Sequence, residues 1–345
     1  MSVLVTTYNY ARFLPAAVES VLAQDGVEVD VLVIDDASTD DTPEVSNRLT
    51  ADRRVRVRRH DENRGHLRSV NEGLDALEGE YVVKLDADDM LAPGALARAT
   101  DLLEARPEVG FVSGRPMHFT ATPPRRPGSR TRSWTLWPGA DWLAQRCASG
   151  YNTISQPEVV MRASTLRAVG PRPESLPHTS DLAQWLQMAV VADVGRVNGP
   201  AQGFYRVHAD SMQRTTHAGH LFDLQARRDA FEYTFAWAEA SGATLPHAAA
   251  LLATARRALA AQALDRACRA YERGRTEEVE VDELRRFALE VWPSAEELPQ
   301  WRALARRRSV GAEQAPRVPA FVARALLRRS AETIGEWRWQ RTGVR

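Results

Sequence analysis

Three acidic residues fall within four positions in Asp86-Ala87-Asp88-Asp89, directly after the apolar run Tyr81-Val82-Val83-Lys84-Leu85. Hard divalent cations such as Mg²⁺ and Mn²⁺ favour carboxylate oxygens and leave positions open for phosphate oxygens and water. A carboxylate cluster at a strand end therefore suits a cation–diphosphate complex. The same residues could instead cap the helix expected from Pro93 or simply be solvated. A second pair, Asp35-Asp36, closes another apolar run, where a carboxylate can accept from the N–H or O–H of a base or a ribose. The nearby Asp40-Asp41-Thr42-Pro43-Glu44 reads as a helix start, which explains the later acids better than it explains Asp35 and Asp36.

These acids need a scaffold, and the hydrophobic pattern supplies one. Short apolar runs at 3–5, 29–34, 81–85 and 109–112 predict strands, with a weaker, alternating one at 55–58. Helical spacing predicts helices over 14–24, 43–49, 67–77 and 93–104, with Pro in or near the first turn of three of them, where its missing N–H does no harm. Alternating strands and helices imply an α/β fold with a doubly wound, mostly parallel sheet flanked by helices, in which ligands gather at the carboxyl ends of the strands. Four polar loops fall at those ends: Thr6-Thr7-Tyr8-Asn9, Asp35-Asp36-Ala37-Ser38, Asn63-Arg64-Gly65 and Asp86-Ala87-Asp88-Asp89. Residues 115–138, rich in Pro, Arg and Ser, read as a mobile loop. Regular patterns return at 159–162, at 181–192 as a helix and at 201–207 as a strand. Beyond about Thr215 the chain turns helical and rich in Ala and Arg. The expected division is 1–217 for the α/β domain and 218–345 for a C-terminal helical extension.

Composition excludes several classes. The 45 basic and 45 acidic residues cancel, leaving no overall attraction to nucleic acid or to an anionic membrane. No apolar run approaches the ~18 residues of a membrane span, and the N-terminus has no basic start, so a soluble, cytoplasmic protein is expected. Cys147 and Cys268 lie too far apart in sequence to suggest a disulfide framework and read as ordinary buried thiols. The first loop carries neither a Gly-x-Gly-x-x-Gly nor a phosphate-binding Gly-Lys-Ser/Thr turn, and the Asp-rich run follows a late strand rather than the first, unlike a haloacid dehalogenase-type phosphatase. Lys84 is the chain's only lysine, and it enters the acidic loop.

In order and spacing, residues 1 to about 215 resemble family 2 glycosyltransferases of the GT-A fold. The resemblance is carried by Val3-Leu4-Val5-Thr6-Thr7-Tyr8-Asn9, Glu19-Ser20-Val21-Leu22-Ala23-Gln24, Val33-Ile34-Asp35-Asp36-Ala37-Ser38-Thr39-Asp40, Asn63-Arg64-Gly65 with Asn71-Glu72-Gly73-Leu74, and Gly79-Glu80-Tyr81 leading to Asp86-Ala87-Asp88-Asp89. It implies an inverting transfer of one sugar from a nucleotide-sugar, a UDP-sugar in the first instance, to an acceptor hydroxyl, with Mn²⁺ or Mg²⁺ as cofactor. Thr6, Tyr8, Asn9, Asp35, Asp36, Asn63, Arg68, Asp86, Ala87 and Asp88 would then contact the donor. Thr6 and Tyr8 would line the base pocket, Asp36 would meet the uracil N–H, and Arg68 would reach base or phosphates. The metal would fall to Asp88 or Asp89, with His208 in Tyr205-Arg206-Val207-His208-Ala209-Asp210-Ser211-Met212 as a further ligand or a loop hydrogen-bonder.

In His178-Thr179-Ser180-Asp181-Leu182, Asp181 matches the family's catalytic base, although Ser180 stands where the family often has Glu; Asp181 could also serve as a helix cap. The Gln-x-x-Arg-Trp motif of the processive synthases is absent, which favours single-sugar addition. The implied acceptors are a sugar, a lipid-linked glycan or a small molecule, with no role for nucleic acid. Two other readings remain open: a catalytically silent nucleotide-sugar-binding module, and a nucleotidyltransferase, which usually carries a Gly-rich basic first loop. The basic, apolar stretch 316–345 suits either peripheral contact with the inner face of a membrane or packing on the catalytic domain or on the partner of a homodimer.

Overall fold

The computed structural model describes residues 1–124, 130–208, 219–277 and 279–343. They divide into two compact units: residues 1–142, 152–208 and 340–343 form the first, and residues 143–151 and 219–339 the second.

The first unit is built on one nine-stranded sheet. Its strands are β1 (Ser2–Thr7), β2 (Asp30–Asp35), β3 (Val55–Arg59), β4 (Tyr81–Asp86), β5 (Met90–Leu91), β6 (Val109–Phe119), β7 (Ser133–Trp137), β8 (Val160–Arg162) and β9 (Asp193–Arg206). The order is β3-β2-β1-β4-β8-β6-β9-β5, with β7 also paired to β9. β3, β2, β1 and β4 run parallel. β8 pairs antiparallel with both β4 and β6, and β6 runs parallel to β9. The unbroken burial of β1 reflects helices on both faces, as expected of parallel strands. The strands expected from sequence at 3–5, 29–34, 55–58, 81–85 and 109–112 are all present, most of them a residue or more longer or shorter.

Helices α1 (Leu14–Leu22), α2 (Thr42–Leu49), α3 (His66–Asp75) and α4 (Ala95–Ala105) cross between strands, followed by α5 (Gly139–Ser149), α6 (Ala163–Val169) and α7 (Ser180–Val191). Leu14, Ala17, Val18 and Val21 are the buried stripe of α1, at i, i+3, i+4 and i+7. Gly73 lets α3 lie directly on the sheet, because a Cβ there would collide with the Leu4 side chain.

The stretch 115–138 departs from expectation. β6 continues to Phe119, and β7 is a strand pairing with β9 from Ser133↔Asn198 to Trp137↔Val194. Pro116 fits because it sits at a register shift of the β6/β9 ladder, where a missing N–H is tolerated. Residues 125–129 of the expected loop lie outside the described residues.

The second unit is helical: α8 (His220–Ser241), α9 (Ala248–Arg273), α10 (Val281–Val291), α11 (Pro299–Val310) and most of α12 (Pro319–Thr342). The boundary expected near residue 217 falls in 209–218, outside the described residues. Both cysteines are buried free thiols.

Between α5 and β8 the chain buries a carboxyl group. Glu158 is 3% exposed; its Oε1 accepts from the Ser155 N–H at 2.7 Å, and its Oε2 meets no donor among the described residues. Burial lifts its pKa from 4.5 to about 7. Between those values the folded chain holds a proton that the unfolded chain has released, so stability falls as pH rises through the window and levels off above it. Glu158→Gln should match the parent below the window and exceed it by up to about 3 kcal/mol above pH 7 in urea unfolding. A difference that does not change with pH would count against this.

Candidate functional site

The register of the parallel strands aligns the polar loops. Thr6 lies beside Asp86 on one side and Ile34 on the other, and Thr7 beside Asp35, which in turn pairs with Arg59. The carboxyl ends of β1, β2, β3 and β4 thus form one edge, at the place where strand order reverses between β1 and β4.

Side chains lock the first three loops together. Asn9, at φ 58°, accepts through Oδ1 from the Thr39 N–H at 2.7 Å, and its own N–H donates to Ser38 Oγ at 2.9 Å. Asp35 is fully buried and accepts from the Ser38 N–H at 2.9 Å, with Arg59 at 3.6 Å from its other oxygen. Asp36 takes the Arg64 and Gly65 N–H groups at 2.8 and 2.9 Å and pairs with His60 Nδ1 at 2.7 Å. Burial raises the Asp36 pKa, but these hydrogen bonds outweigh it and hold the carboxylate below its usual range. Of the residues expected to contact a donor, Asn9, Asp35 and Asp36 therefore brace the loops, while Tyr8 projects from them, 46% exposed. Thr6 is buried beside them. Asn63 is exposed and accepts from the Gly65 N–H at 3.1 Å. Arg68 is exposed on α3, paired with Glu174 at 3.1 Å.

The acidic turn is pinned from β9. Asp89 donates its N–H to the Asp86 carbonyl at 3.0 Å, closing the turn around buried Ala87. The Arg206 N–H donates to Asp89 Oδ1 at 2.8 Å, and the Arg206 side chain donates to the Asp88 carbonyl at 2.8 Å. The Arg206 guanidinium lies over the rings of Phe13 and Phe119 at 4.6 and 4.4 Å. His208 Nε2 lies 2.9 Å from Asp88 Oδ2, with its ring against Phe13 and Tyr10.

Electrostatics separate the three acids. Burial raises the Asp86 pKa, but the charge of Lys84, hydrogen-bonded to it, prevails and the net shift is downward. Asp88 is held above its usual range by burial and the Asp86 charge, and Asp89 well above it by burial and both neighbours. His66 at the head of α3 is pressed down to about 4 by burial and by Lys84, so it stays neutral near pH 7.

Asp181 opens α7. Its oxygens accept from the Leu182 N–H at 2.7 Å and the Asn152 amide at 3.0 Å. Burial raises its pKa, opposed chiefly by the charge of Arg172. The buried Arg172 donates to Gln184 at 2.9 Å and to Gln156 at 2.8 Å, and exchanges main-chain hydrogen bonds with Asn71 at 2.9 Å. Its charge acts on both Asp181 and Asp86. The Tyr205 phenol is raised by burial and further by the charges of Asp89, Asp86, Asp88 and Asp181.

His60, Arg172 and Tyr205 were not singled out as functional from the sequence. Their partners are 12 to more than 100 residues away, so no local spacing marks them.

Among the described residues no cluster of three or more His, Cys, Asp or Glu ligands forms a ready-made metal cage. The donor set nonetheless fits a hard cation. Such ions take one or two protein carboxylates and complete their shell with phosphate oxygens and water, and Asp88, raised by crowded negative charge and backed by His208, gains from a cation.

Comparison with known proteins places this geometry. Residues 2–164 match the sequence model of Glycosyl transferase family 2. The succinoglycan biosynthesis protein ExoO of Rhizobium meliloti is 40% identical over 102 residues, 30% of this chain and 29% of that protein. The GalNAc(5)-diNAcBac-PP-undecaprenol beta-1,3-glucosyltransferase of Campylobacter jejuni is 37% identical over 99 residues, 28% of this chain and 32% of that protein. The chain spans about a third of the length of these curated relatives. S. aureus TarS 1–349, solved with UDP-GlcNAc, shares the GT-A fold at a TM-score of 0.60 and 16% identity, over 86% of this chain and 90% of that one.

Replacing Arg172 with Met strands the acceptor oxygens of Gln184 and Gln156 and removes a cation that acts on both Asp181 and Asp86. Arg172→Met should lose about 2–4 kcal/mol of stability in urea unfolding. A loss below about 0.5 kcal/mol, the size of a neutral surface change, would show that the network does not hold the site.

Proposed function

Because residues 2–164 belong to glycosyl transferase family 2, we propose that the protein is an inverting glycosyltransferase moving one sugar from a nucleotide-sugar, a UDP-sugar, to an acceptor hydroxyl. The observation that carries this reading is the acidic turn Asp86-Ala87-Asp88-Asp89 at the carboxyl end of β4, beside Thr6 of β1 and pinned from β9 by Arg206 and His208, with Asp181 opening α7. On the donor side, exposed Tyr8 offers a ring to the base, with Thr6 beneath it and Arg68 and Asn63 on the flanking loop and helix. Asn9, Asp35 and Asp36 act there by fixing the loops, and Asp36 retains lone pairs for a base N–H. Asp86, held ionised by Lys84, faces the ribose with Ala87.

Asp88 with His208 would hold the divalent cation, Mn²⁺ or Mg²⁺, while Asp89 supports the turn through the Arg206 N–H. When bound, that ion supplies positive charge to the departing diphosphate. Asp181 takes the proton of the acceptor hydroxyl as its oxygen bonds to the anomeric carbon from the face opposite the diphosphate. One bond forms as the other breaks, so the configuration inverts. Burial makes Asp181 a stronger base than a solvated carboxylate, and the Arg172 charge opposes part of that rise. The roles of the relatives, succinoglycan biosynthesis and glucosyl transfer to an undecaprenol-linked glycan, support a hydroxyl on a growing polysaccharide or lipid-linked glycan as acceptor.

Thermal melting tests the donor side. UDP should raise the melting temperature, more so with Mn²⁺, and Asp88→Ala should lose the metal-dependent part. Asp181→Asn should keep the UDP shift but lower UDP release from a UDP-sugar with acceptor by at least about 100-fold. If neither UDP, dTDP nor GDP stabilises the parent under any metal condition, the reading fails. The acid limb of the transfer rate should also move to higher pH in Arg172→Met, because the charge that lowers the Asp181 pKa is gone.

A further inference from the structure

Helix α12 turns charged side chains toward the rest of the second unit and leaves most of its large apolar ones exposed. Its inward contacts within the second unit are charged: Glu332 pairs with Arg269 at 2.6 Å, and Arg328 pairs at 2.7 Å with Glu272, which also holds Arg307 at 2.6 Å. No residue of the helix is buried. Its large apolar residues point outward, with Val322, Leu326, Leu327, Ile334 and Trp337 between 43% and 71% exposed. At 3.6 residues per turn these five fall within an arc of about 140°. Exposed Arg338 and Arg324 lie beyond one edge of that arc and Arg329 beyond the other, with Glu336 next to Arg329, Glu332 further round, and Ser330, Thr333 and Arg341 within the arc.

We propose that this face docks on an anionic phospholipid surface, its apolar residues entering the boundary between headgroups and acyl chains and the flanking arginines meeting lipid phosphates. A second copy of the chain is the weaker fit. Two such faces laid together would set three bordering arginines from each copy against a single bordering acid, Glu336, from each, leaving a net excess of positive charge at the seam. An interfacial helix needs both halves of what is present, an apolar strip and basic edges, and the chain's balanced net charge hides this local excess. The inference is independent of the catalytic reading.

Full-length protein is mixed with sedimentable vesicles of phosphatidylcholine alone or with phosphatidylglycerol added. Binding to the phosphatidylglycerol vesicles, at least about tenfold above that to phosphatidylcholine and weakened by salt, is expected. Leu326→Glu/Leu327→Glu should abolish it, and Arg324→Gln/Arg329→Gln should weaken it. Both variants should keep the parent's melting temperature, because the substituted side chains are exposed. The proposal is overturned if the parent stays in the supernatant with anionic vesicles, or if Leu326→Glu/Leu327→Glu binds as the parent does. It is equally overturned if light scattering without lipid shows a dimer that this double variant dissolves, since a second copy would then cover the face.

Discussion

Crowding carboxylates in a partly dry site is the constraint to which the rest of the structure responds. Two unit charges about 4 Å apart, at an effective dielectric of about 20, repel by about 4 kcal/mol, a large share of the net stability of a domain. The acidic turn accepts this for three residues, and the protein answers unequally. Lys84, the chain's only lysine, neutralises Asp86 from the strand itself. For Asp88 and Asp89, burial and the neighbouring negative charges outweigh the His208 imidazole and the Arg206 N–H, so their pKa values stay raised. Such a turn has one settled anion and two that hold charge at a penalty, which makes the site receptive to a cation when one arrives with a diphosphate.

That arrangement needs loops that cannot relax away from each other. The sheet register sets their spacing, but the loops are tied by side chains spanning 24 to 30 residues, such as Asn9 to Ser38 and Thr39, and Asp36 to His60, Arg64 and Gly65. Strain gathers at the same places. Asn9, Ala37 and Gln156 are three of the four non-glycine residues with left-handed backbone among those described, and each sits in a loop that braces the site. Gln156 in turn holds Arg172, the cation whose field reaches both the acidic turn and Asp181. The strained positions are thus coupled to the electrostatics, because the loop that carries the strain also carries the charge.

How much of this was legible depended on whether the physics was local. Strands and helices of the first 113 residues show in their periodicity, and their alternation implies the sheet, because β-branched runs and amphipathic stripes act over a few residues. The acidic turn was legible for the same reason, since residue type and position at a strand end mark it, whereas Asp181 stood out only through the family resemblance of its motif. The stretch 115–138 was misread because its strands are stabilised by β9, some 60 to 90 residues on, and a Pro at a register shift resembles a loop signal. Asp35 and Asp36 were visible as acids at a strand end, but their bracing contacts with Ser38, Arg64 and Gly65 follow from a turn geometry that no spacing announces. Arg172 and His60 had no signal of their own.

The second unit shows that composition alone does not decide burial. Helices α9 and α12 are both rich in alanine and arginine, yet Ala255, Leu259, Ala260, Ala263, Leu264 and Ala267 of α9 are buried while α12 buries nothing. The difference is the phase of the apolar residues against the charged ones. In α9 they repeat at helical spacing on the face that meets α8, α10 and α11, with its charges left at the margins. In α12 the charges that reach Glu272 and Arg269 occupy the inner face, so ion pairing rather than apolar burial fixes its orientation. Exposed ion pairs contribute little, but Glu272 is a buried carboxylate shared by Arg307 and Arg328, and leaving it unpaired would cost several kcal/mol. Glu272, already held by Arg307, takes Arg328 as a second partner on the inner face, and the leucines of α12 lie away from that pairing.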